Sequence, residues 1–407
     1  MTYKGLEKLL FLSWESPWPA HSGGALRTLG LLKELSKTFK VELILLTRKP
    51  LSTEQIAFLD SMVCKINRLP LRDVSFCDKL LVAMLMFKLQ IPYHCAILEL
   101  SFRKYPHILK RIRNFEGVVY ASYGHWGYLV RNDFAANWIL DQHNADVEFW
   151  RVYASQVSNH LVRLAALVNY RLCENVFPQI YRAVGRIISV CEKDRQLTLA
   201  LAPEAQVEVI ENGVDCSYYV PNTQKRSGQF RLLFTGTSAS RNMIALHQFV
   251  YNVFPLIQKE LPETKLLVGG DFHVKAQAKF NKYSNIRFTG RVEDIRPIFN
   301  ASDVYVAPFE ETHGSKLKIA EAMAMGMAIV STPEGIRGFP LVDGKSVLVA
   351  HNNEQFASHT VSLLNDPVKR KRIGVEARKI AETFIDWQVL GNRLVRIINL
   401  VYEKILK

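Results

Sequence analysis

The residues whose types and spacing could do chemistry are Gly314, Ser315, Lys316, Leu317, Lys318 and Glu321, inside the stretch Ala307 to Thr332. The apolar run ASDVYVAPF reads as a strand, a polar turn over 310–315 follows, and Lys316 to Met325 reads as a helix. Gly326 ends that helix, because glycine suits the left-handed conformation of helix termini, and Met327 to Val330 reads as the next strand. In such a unit the turn lies at the carboxyl edge of the sheet, where α/β folds place ligands. It has three properties of an anion site. Gly314 admits a ligand close to the backbone. The N–H groups of Ser315, Lys316 and Leu317 lie at the positive end of the helix dipole without helical partners. Lys316 and Lys318 add mobile positive charge. One turn further in, Glu321 stands among Ala, Met, Ile and Leu, a carboxylate suited to binding hydroxyl groups.

Two other turns carry comparable residues. Lys8 to Ser13 reads as a strand, Gly23-Gly24 as a turn, Ala25 to Phe39 as a helix and Val41 to Thr47 as a second strand. The Gly-Gly turn could admit a diphosphate to the helix start, with Arg27 in the first turn to hold charge there. The G-x-G-x-x-G fingerprint of dinucleotide sites is absent. Further on, a strand over Asn137 to Leu140 ends in Asp141-Gln142-His143-Asn144-Ala145-Asp146. Polar residues crowd there at a carboxyl edge, and Asp141 and Asn144 flank His143 closely enough to orient its ring.

The elements that must position these residues alternate in type along the whole chain. Strands are expected over Val63–Leu69, Gly117–Ser122, Arg186–Val190 and Val207–Ile210, then over Arg231–Thr235, Lys265–Gly269, Ile286–Thr289 and Asp303–Ala307. Long helical patterns cover Ala154–Arg182, Met243–Leu261 and Trp387–Leu406. This rhythm predicts an α/β protein of two doubly wound, Rossmann-like domains facing each other across a cleft. The polar stretch Pro221 to Gln229 is read as the linker, which sets the domains at 1–220 and 221–386.

Composition narrows the class. At 407 residues, with 48% hydrophobic and 22% charged, the chain is long enough for two full cores. No run of about 18 apolar residues predicts a membrane span, and the short run Leu9 to Leu12 is a strand rather than a leader. Six scattered cysteines without a C-x-x-C pair argue against zinc or a disulfide framework and fit a cytoplasmic protein. The net charge of +14 suggests acidic partners. A nucleic-acid module is disfavoured, since no dense basic run with interleaved aromatics is present. Lys79, Lys88, Arg103, Lys104, Lys110, Arg111 and Arg113, around the apolar segment Asp78 to Leu89, could form a surface for peripheral membrane contact.

The phrases Pro308-Phe309, Gly314-Ser315-Lys316-Leu317-Lys318, Glu321-Ala322-Met323-Ala324-Met325-Gly326 and Ile329-Val330-Ser331-Thr332 resemble the donor-site signature of glycosyltransferase family 4 (group 1). The resemblance continues in Leu140-Asp141-Gln142-His143-Asn144-Ala145-Asp146, in Ser189-Val190-Cys191-Glu192-Lys193-Asp194 and in Val209-Ile210-Glu211-Asn212-Gly213-Val214-Asp215. It implies the GT-B fold, with the helix from Trp387 crossing back to the N-terminal domain. It also implies transfer of a sugar, with retention and without a metal or other cofactor, from a UDP- or GDP-sugar to a sugar or lipid-linked acceptor. The expected setting is cell-envelope or exopolysaccharide synthesis on the inner face of a membrane.

The resemblance further implies donor contacts by Gly23, Gly24, Arg241, Gly314, Ser315, Lys316, Leu317, Lys318 and Glu321, with Glu321 on the ribose hydroxyls. It implies acceptor-side roles for Asp141 and Asn144 and catalytic roles for His143 and His313. The chain departs from the pattern at three positions. His313 stands where many members have Glu, eight residues before Glu321; Thr237 and Asn242 stand where many have Arg and Lys. The missing charge is therefore expected from Lys316 or Lys318. A sugar-nucleotide epimerase and a non-catalytic nucleotide-sugar-binding relative are the alternatives; paired catalytic carboxylates, which an epimerase would need, are not found in the sequence.

Overall fold

Runs such as KLLFLS and VVYAS have no polar alternation, and both form strands covered on both faces, as the strands of parallel sheets are. The computed structural model describes residues 7–20, 22–71, 76–221, 231–310 and 316–405. The chain divides into two units, Met1–Ile210 with Leu390–Lys407, and Glu211–Val389. The segment read as a linker lies, after Pro221, outside the described residues.

The first unit holds β1 (Lys8–Ser13), β2 (Lys40–Thr47), β3 (Lys65–Pro70), β4 (Val118–Ser122), β5 (Ala135–Asp141), β6 (Val184–Ser189) and β7 (Val207–Val209). They form one seven-stranded sheet in the order β3-β2-β1-β4-β5-β6-β7. Every pairing is parallel, with Leu9 opposite Val41 on one side and Val118 on the other. The second unit holds β8 (Arg231–Thr235), β9 (Lys265–Gly269), β10 (Ile286–Gly290), β11 (Val304–Ala307), β12 (Ala328–Ser331) and β13 (Leu348–Val349). Its six-stranded sheet runs β10-β9-β8-β11-β12-β13, again all parallel. Each sheet reverses its direction of growth once, between β1 and β4 and between β8 and β11. At such a reversal neighbouring strands send their loops to opposite faces and a crevice opens at the carboxyl edge.

Local chemistry explains where helices depart from expectation. The single helix read over Ala154–Arg182 is two, Asp146–Gln156 and His160–Ala183. Asn159 starts the second, its side chain accepting from the N–H groups of Leu161 and Val162. The helix read from Met243 begins at Ser240 and runs to Glu260 through a π-turn at Phe249–Val253. Pro255 follows that turn and has no N–H to give to it, so the wider geometry is accommodated there. The helix Leu317–Ala324 ends as the sequence signals. Gly326 has φ 59°, and the N–H groups of Gly326 and Met327 close back onto Met323 and Ala322.

The last helix, Trp387–Ile405, buries Leu390, Leu394, Ile398 and Val401, one stripe at helical spacing. Its Tyr402 hydroxyl donates to the Lys8 carbonyl and accepts from the Val118 N–H at 3.3 Å, tying it to β1 and β4.

Candidate functional site

In the second unit the crevice at the β8–β11 reversal is lined from the two turns that begin at Gly236 and Pro308. Asn242 is buried in the first turn of the helix that follows Gly236; its Nδ2 donates to the Thr237 carbonyl at 3.2 Å and lies 3.3 Å from Thr237 Oγ1. That leaves Asn242 Oδ1 to accept from Lys318 Nζ at 2.7 Å. Lys316, also buried, reaches the Glu334 carbonyl at 3.3 Å. Both ammonium groups lie over the Phe309 ring, at 5.6 and 5.1 Å from its centroid. Lys318 thus brings an amine to the side chain of Asn242, the position read as a missing lysine.

Burial of two amines with cationic neighbours has a thermodynamic consequence. Burial first, then the charges of Arg337 and Arg241, push Lys316 down to about 7. Burial and Arg241 push Lys318 to about 7 as well, against the pull of Glu321. These groups lose their protons near neutrality unless negative charge is supplied. Arg241, which sequence placed here, does lie in their electrostatic neighbourhood. His313, Gly314 and Ser315 lie outside the described residues; Leu317 opens the helix.

Glu321 projects from the same helix into a site that raises its pKa through burial, partly offset by the Tyr219 hydroxyl and by Lys318. Tyr219 donates to Glu321 Oε1 at 3.0 Å. The backbone around Tyr219 is held in turn by Arg378, which donates to the carbonyls of Tyr219 and Ala324 and, at 2.8 Å, to that of Cys216. Sequence reading missed Tyr219. It lies 102 residues from its partner, and no periodicity announces such a contact.

In the first unit the β1–β4 reversal gathers a second set. Arg27 does not offer its charge to a ligand. It is buried against Asp141, Nη2 to Oδ1 at 2.7 Å and Nε to Oδ2 at 3.0 Å, which corrects its reading as a phosphate contact. Burial alone would raise the Asp141 carboxyl, but Arg27 and His143 hold it well below the usual carboxylate range. His143 does sit beside Asp141: Nε2 is 3.4 Å from Oδ2 and 3.0 Å from Ser122 Oγ. Asn144, next in sequence, is half-buried.

The Tyr123 ring stacks on His143 at 3.9 Å, and its hydroxyl donates to Glu15 Oε1 at 2.6 Å. Ser22, which caps the helix Gly23–Leu35, donates to the same oxygen at 2.8 Å. Tyr123 has φ 89°, a conformation that costs energy in a residue with a side chain and that clusters at functional sites. Gly24 is glycine for a reason that sequence could not show. A Cβ there would stand 1.9 Å from the Tyr123 hydroxyl oxygen. Gly23 is the exposed first residue of that helix. Tyr123 and Glu15 carried no sequence signal beyond lying just after strands.

Among the described residues no three His, Cys, Asp or Glu side chains converge as a metal site requires. The second unit's set can hold an anion and hydroxyl groups; the first unit's can hydrogen-bond and orient a polar ligand through an imidazole.

Comparison with known proteins assigns the class. Residues 229–366 match the family model of glycosyl transferases group 1. Sucrose-phosphate synthase from Thermosynechococcus elongatus has the same fold, with a TM-score of 0.69 over 98% of this chain and 100% of that one at 15% identity. The chain has the GT-B fold, and the stretch that matches the group 1 model lies within its second unit. It is 23% identical, over 91% of its length and 95% of the other's, to an uncharacterized 44.6 kDa protein in the cps region of Klebsiella pneumoniae. Over 54% of its length it is 24% identical to 65% of the GDP-mannose-dependent monoacylated alpha-(1-6)-phosphatidylinositol monomannoside mannosyltransferase of Corynebacterium glutamicum.

Two predictions follow from this geometry. Pyrophosphate restores full charge to Lys316 and Lys318, so its binding takes up protons above pH 7. Once the affinity is corrected for the ionisation of pyrophosphate itself, it is flat below about pH 7 and falls as pH rises through the depressed lysine values, by up to about tenfold per unit for each lysine. Calorimetry in two buffers of different ionisation enthalpy reads the uptake, which disappears in Lys316→Ala/Lys318→Ala; pH-independent binding contradicts it. Gly24→Ala lowers thermal stability by displacing Tyr123, with a cost of about 1–3 kcal/mol. Tyr123→Phe removes the atom in the way, so the double variant loses less than the sum of the singles, which a double-mutant cycle measures.

Proposed function

We propose that this protein transfers a sugar, with retention and without a metal, from a UDP- or GDP-sugar to a hydroxyl of a sugar or lipid-linked acceptor, on the cytoplasmic side of a membrane during envelope or exopolysaccharide assembly. The observation that carries the reading is the pair of amines at the β8–β11 reversal, Lys316 buried and Lys318 half-buried, one helical turn from the half-buried Glu321 carboxylate, within the stretch that matches group 1. A diphosphate leaving group gains charge as the glycosidic bond breaks, and cations positioned in a site that excludes water stabilise that charge most. Lys316 and Lys318 supply it, with Arg241 beside them. Glu321, released from Tyr219 or sharing it, binds the ribose diol.

Gly314 and Ser315 are assigned to the phosphates, together with the N–H of Leu317 at the start of its helix. His313 hydrogen-bonds a sugar hydroxyl or a phosphate in place of the usual carboxylate. Gly23, exposed at the N-terminal turn, leaves room for the donor; the space left by Gly24, read as a second donor contact, is taken by the Tyr123 hydroxyl. On the acceptor side His143, oriented by Asp141 and Ser122 and stacked by Tyr123, hydrogen-bonds a reacting sugar hydroxyl, with Asn144 alongside. The acceptor hydroxyl attacks from the leaving-group face and its proton passes to the diphosphate. The Corynebacterium relative, whose name specifies a nucleotide-sugar donor and a lipid acceptor, supports this reading over an epimerase or a non-catalytic binder.

Membrane contact is read from the helix Phe76–Leu89. Leu80, Met84 and Phe87 lie on one face at spacings of four and three, and each is more than half exposed. Lys79 and Lys88 flank them, a pattern suited to an anionic bilayer surface. Among the described residues no single helix is long and apolar enough to cross a membrane.

Glu321→Ala is expected to weaken UDP or GDP binding about tenfold or more while the circular dichroism spectrum is kept, because a charged acceptor of ribose hydroxyls is removed. Titration calorimetry decides it, and unchanged nucleotide affinity takes Glu321 out of the site. For the membrane reading, the protein should co-sediment with phosphatidylglycerol vesicles and not with phosphatidylcholine vesicles. Met84→Glu/Phe87→Glu should abolish that binding; equal sedimentation of variant and wild type would refute it.

A further inference from the structure

The first unit contains a cavity of 510 Å³ at the carboxyl edge of β1, β2 and β3. This is within the range of small-molecule sites. The loop after β1 contributes Trp14 and Glu15, the loop after β2 contributes Arg48 and Lys49, and the helix Tyr93–Lys104 contributes Tyr93 and His94. The chemistry of the walls is uneven. Trp14 and Tyr93 offer aromatic surface, which packs against the C–H face of a sugar ring. Trp14 is braced edge-on by His94 at 5.3 Å and by His125 at 4.3 Å, and His94 in turn touches the Tyr93 ring. Burial first, then the neighbouring His125, pushes His94 down to about 3, so it enters the wall as a neutral ring. Arg48 and Lys49 are exposed and, among the described residues, have no carboxylate partner.

Glu15 joins this cavity to the His143 set. Its Oε1 accepts from Tyr123, whose ring lies on His143, and from Ser22. The cavity and the imidazole are therefore two contacts apart. A ligand seated in the cavity meets a carboxylate suited to hydroxyl groups on one loop and two cations on the next.

We propose that this cavity receives the acceptor, and that the acceptor is a sugar or polyol bearing an anionic substituent, its ring against Trp14 and Tyr93 and its anionic group on Arg48 and Lys49. The inference rests on the transferase reading above and adds to it the charge class of the acceptor. A phosphoryl group and a uronic carboxylate share the chemistry that the two cations recognise.

The test uses the full chain carrying Lys316→Ala/Lys318→Ala, which removes the other cationic site. Methyl glucoside, methyl glucuronide and glucose 6-phosphate are titrated while the Trp14 indole resonance, assigned with Trp14→Phe, is followed by NMR. At least one anionic probe should shift that resonance with affinity about tenfold or more above the neutral glucoside, and Arg48→Ala/Lys49→Ala should erase the difference. A preference confined to glucose 6-phosphate assigns a phosphoryl group, and one confined to the glucuronide assigns a carboxylate. Equal affinity for charged and neutral probes, a preference that survives loss of Arg48 and Lys49, or an unmoved Trp14 resonance overturns the proposal. Failure of the donor reading appears separately, in nucleotide binding to wild type and Glu321→Ala.

Discussion

Two amines drawn out of water beside Arg241 carry their charge at a cost, and that cost shapes the second unit's crevice. Water would solvate Lys316 and Lys318 far better than Phe309, Phe234 and the neighbouring backbone do. The fold meets the cost in part with the Asn242 amide, the Glu334 carbonyl and the charges of Glu321 and Glu334, which do not outweigh burial and Arg241. Folding alone gains little from such an arrangement. A ligand that brings two or more negative charges gains a great deal, because the two amines already stand together.

The first unit solves a different problem with a similar economy of parts. Asp141 and Arg27 are both fully buried, and a buried pair of this kind is weakly stabilising at best once desolvation is counted. What the pair does secure is geometry. Asp141 keeps its charge, so His143 has a fixed anionic neighbour on one side and Ser122 on the other. Tyr123 closes the ring of contacts at a backbone conformation that costs energy, and Gly24 gives up its side chain to make space for it. Strain, a buried ion pair and a required glycine in one small region are the marks of a place shaped for something other than stability.

Much of this was legible in the sequence, for identifiable reasons. Parallel strands buried on both faces read as unbroken apolar runs, so β1, β4, β8 and β9 are found almost to the residue. Gly326 announces the end of its helix because only the left-handed conformation fits there. Lys316, Lys318 and Glu321 are close in sequence on one turn and helix, so their common neighbourhood follows from helical spacing alone. The break between Gln156 and His160 was missed because the capping signal is a single Asn inside a continuous amphipathic pattern.

Sequence by itself therefore determined the alternation of strands and helices, the two-unit α/β class and the local groups of residues that could bind an anion or orient an imidazole. Those properties depend on interactions within a few residues, where the period of the backbone dictates what lies beside what. The tertiary structure alone decided which distant groups meet: Lys318 with Asn242, Glu321 with Tyr219, Arg27 with Asp141 rather than with a ligand, and Gly24 beneath Tyr123. Those contacts depend on strand order, and the strand order is set by how whole faces of helices and sheets bury against one another, a property of the assembled unit that no local stretch of chain contains.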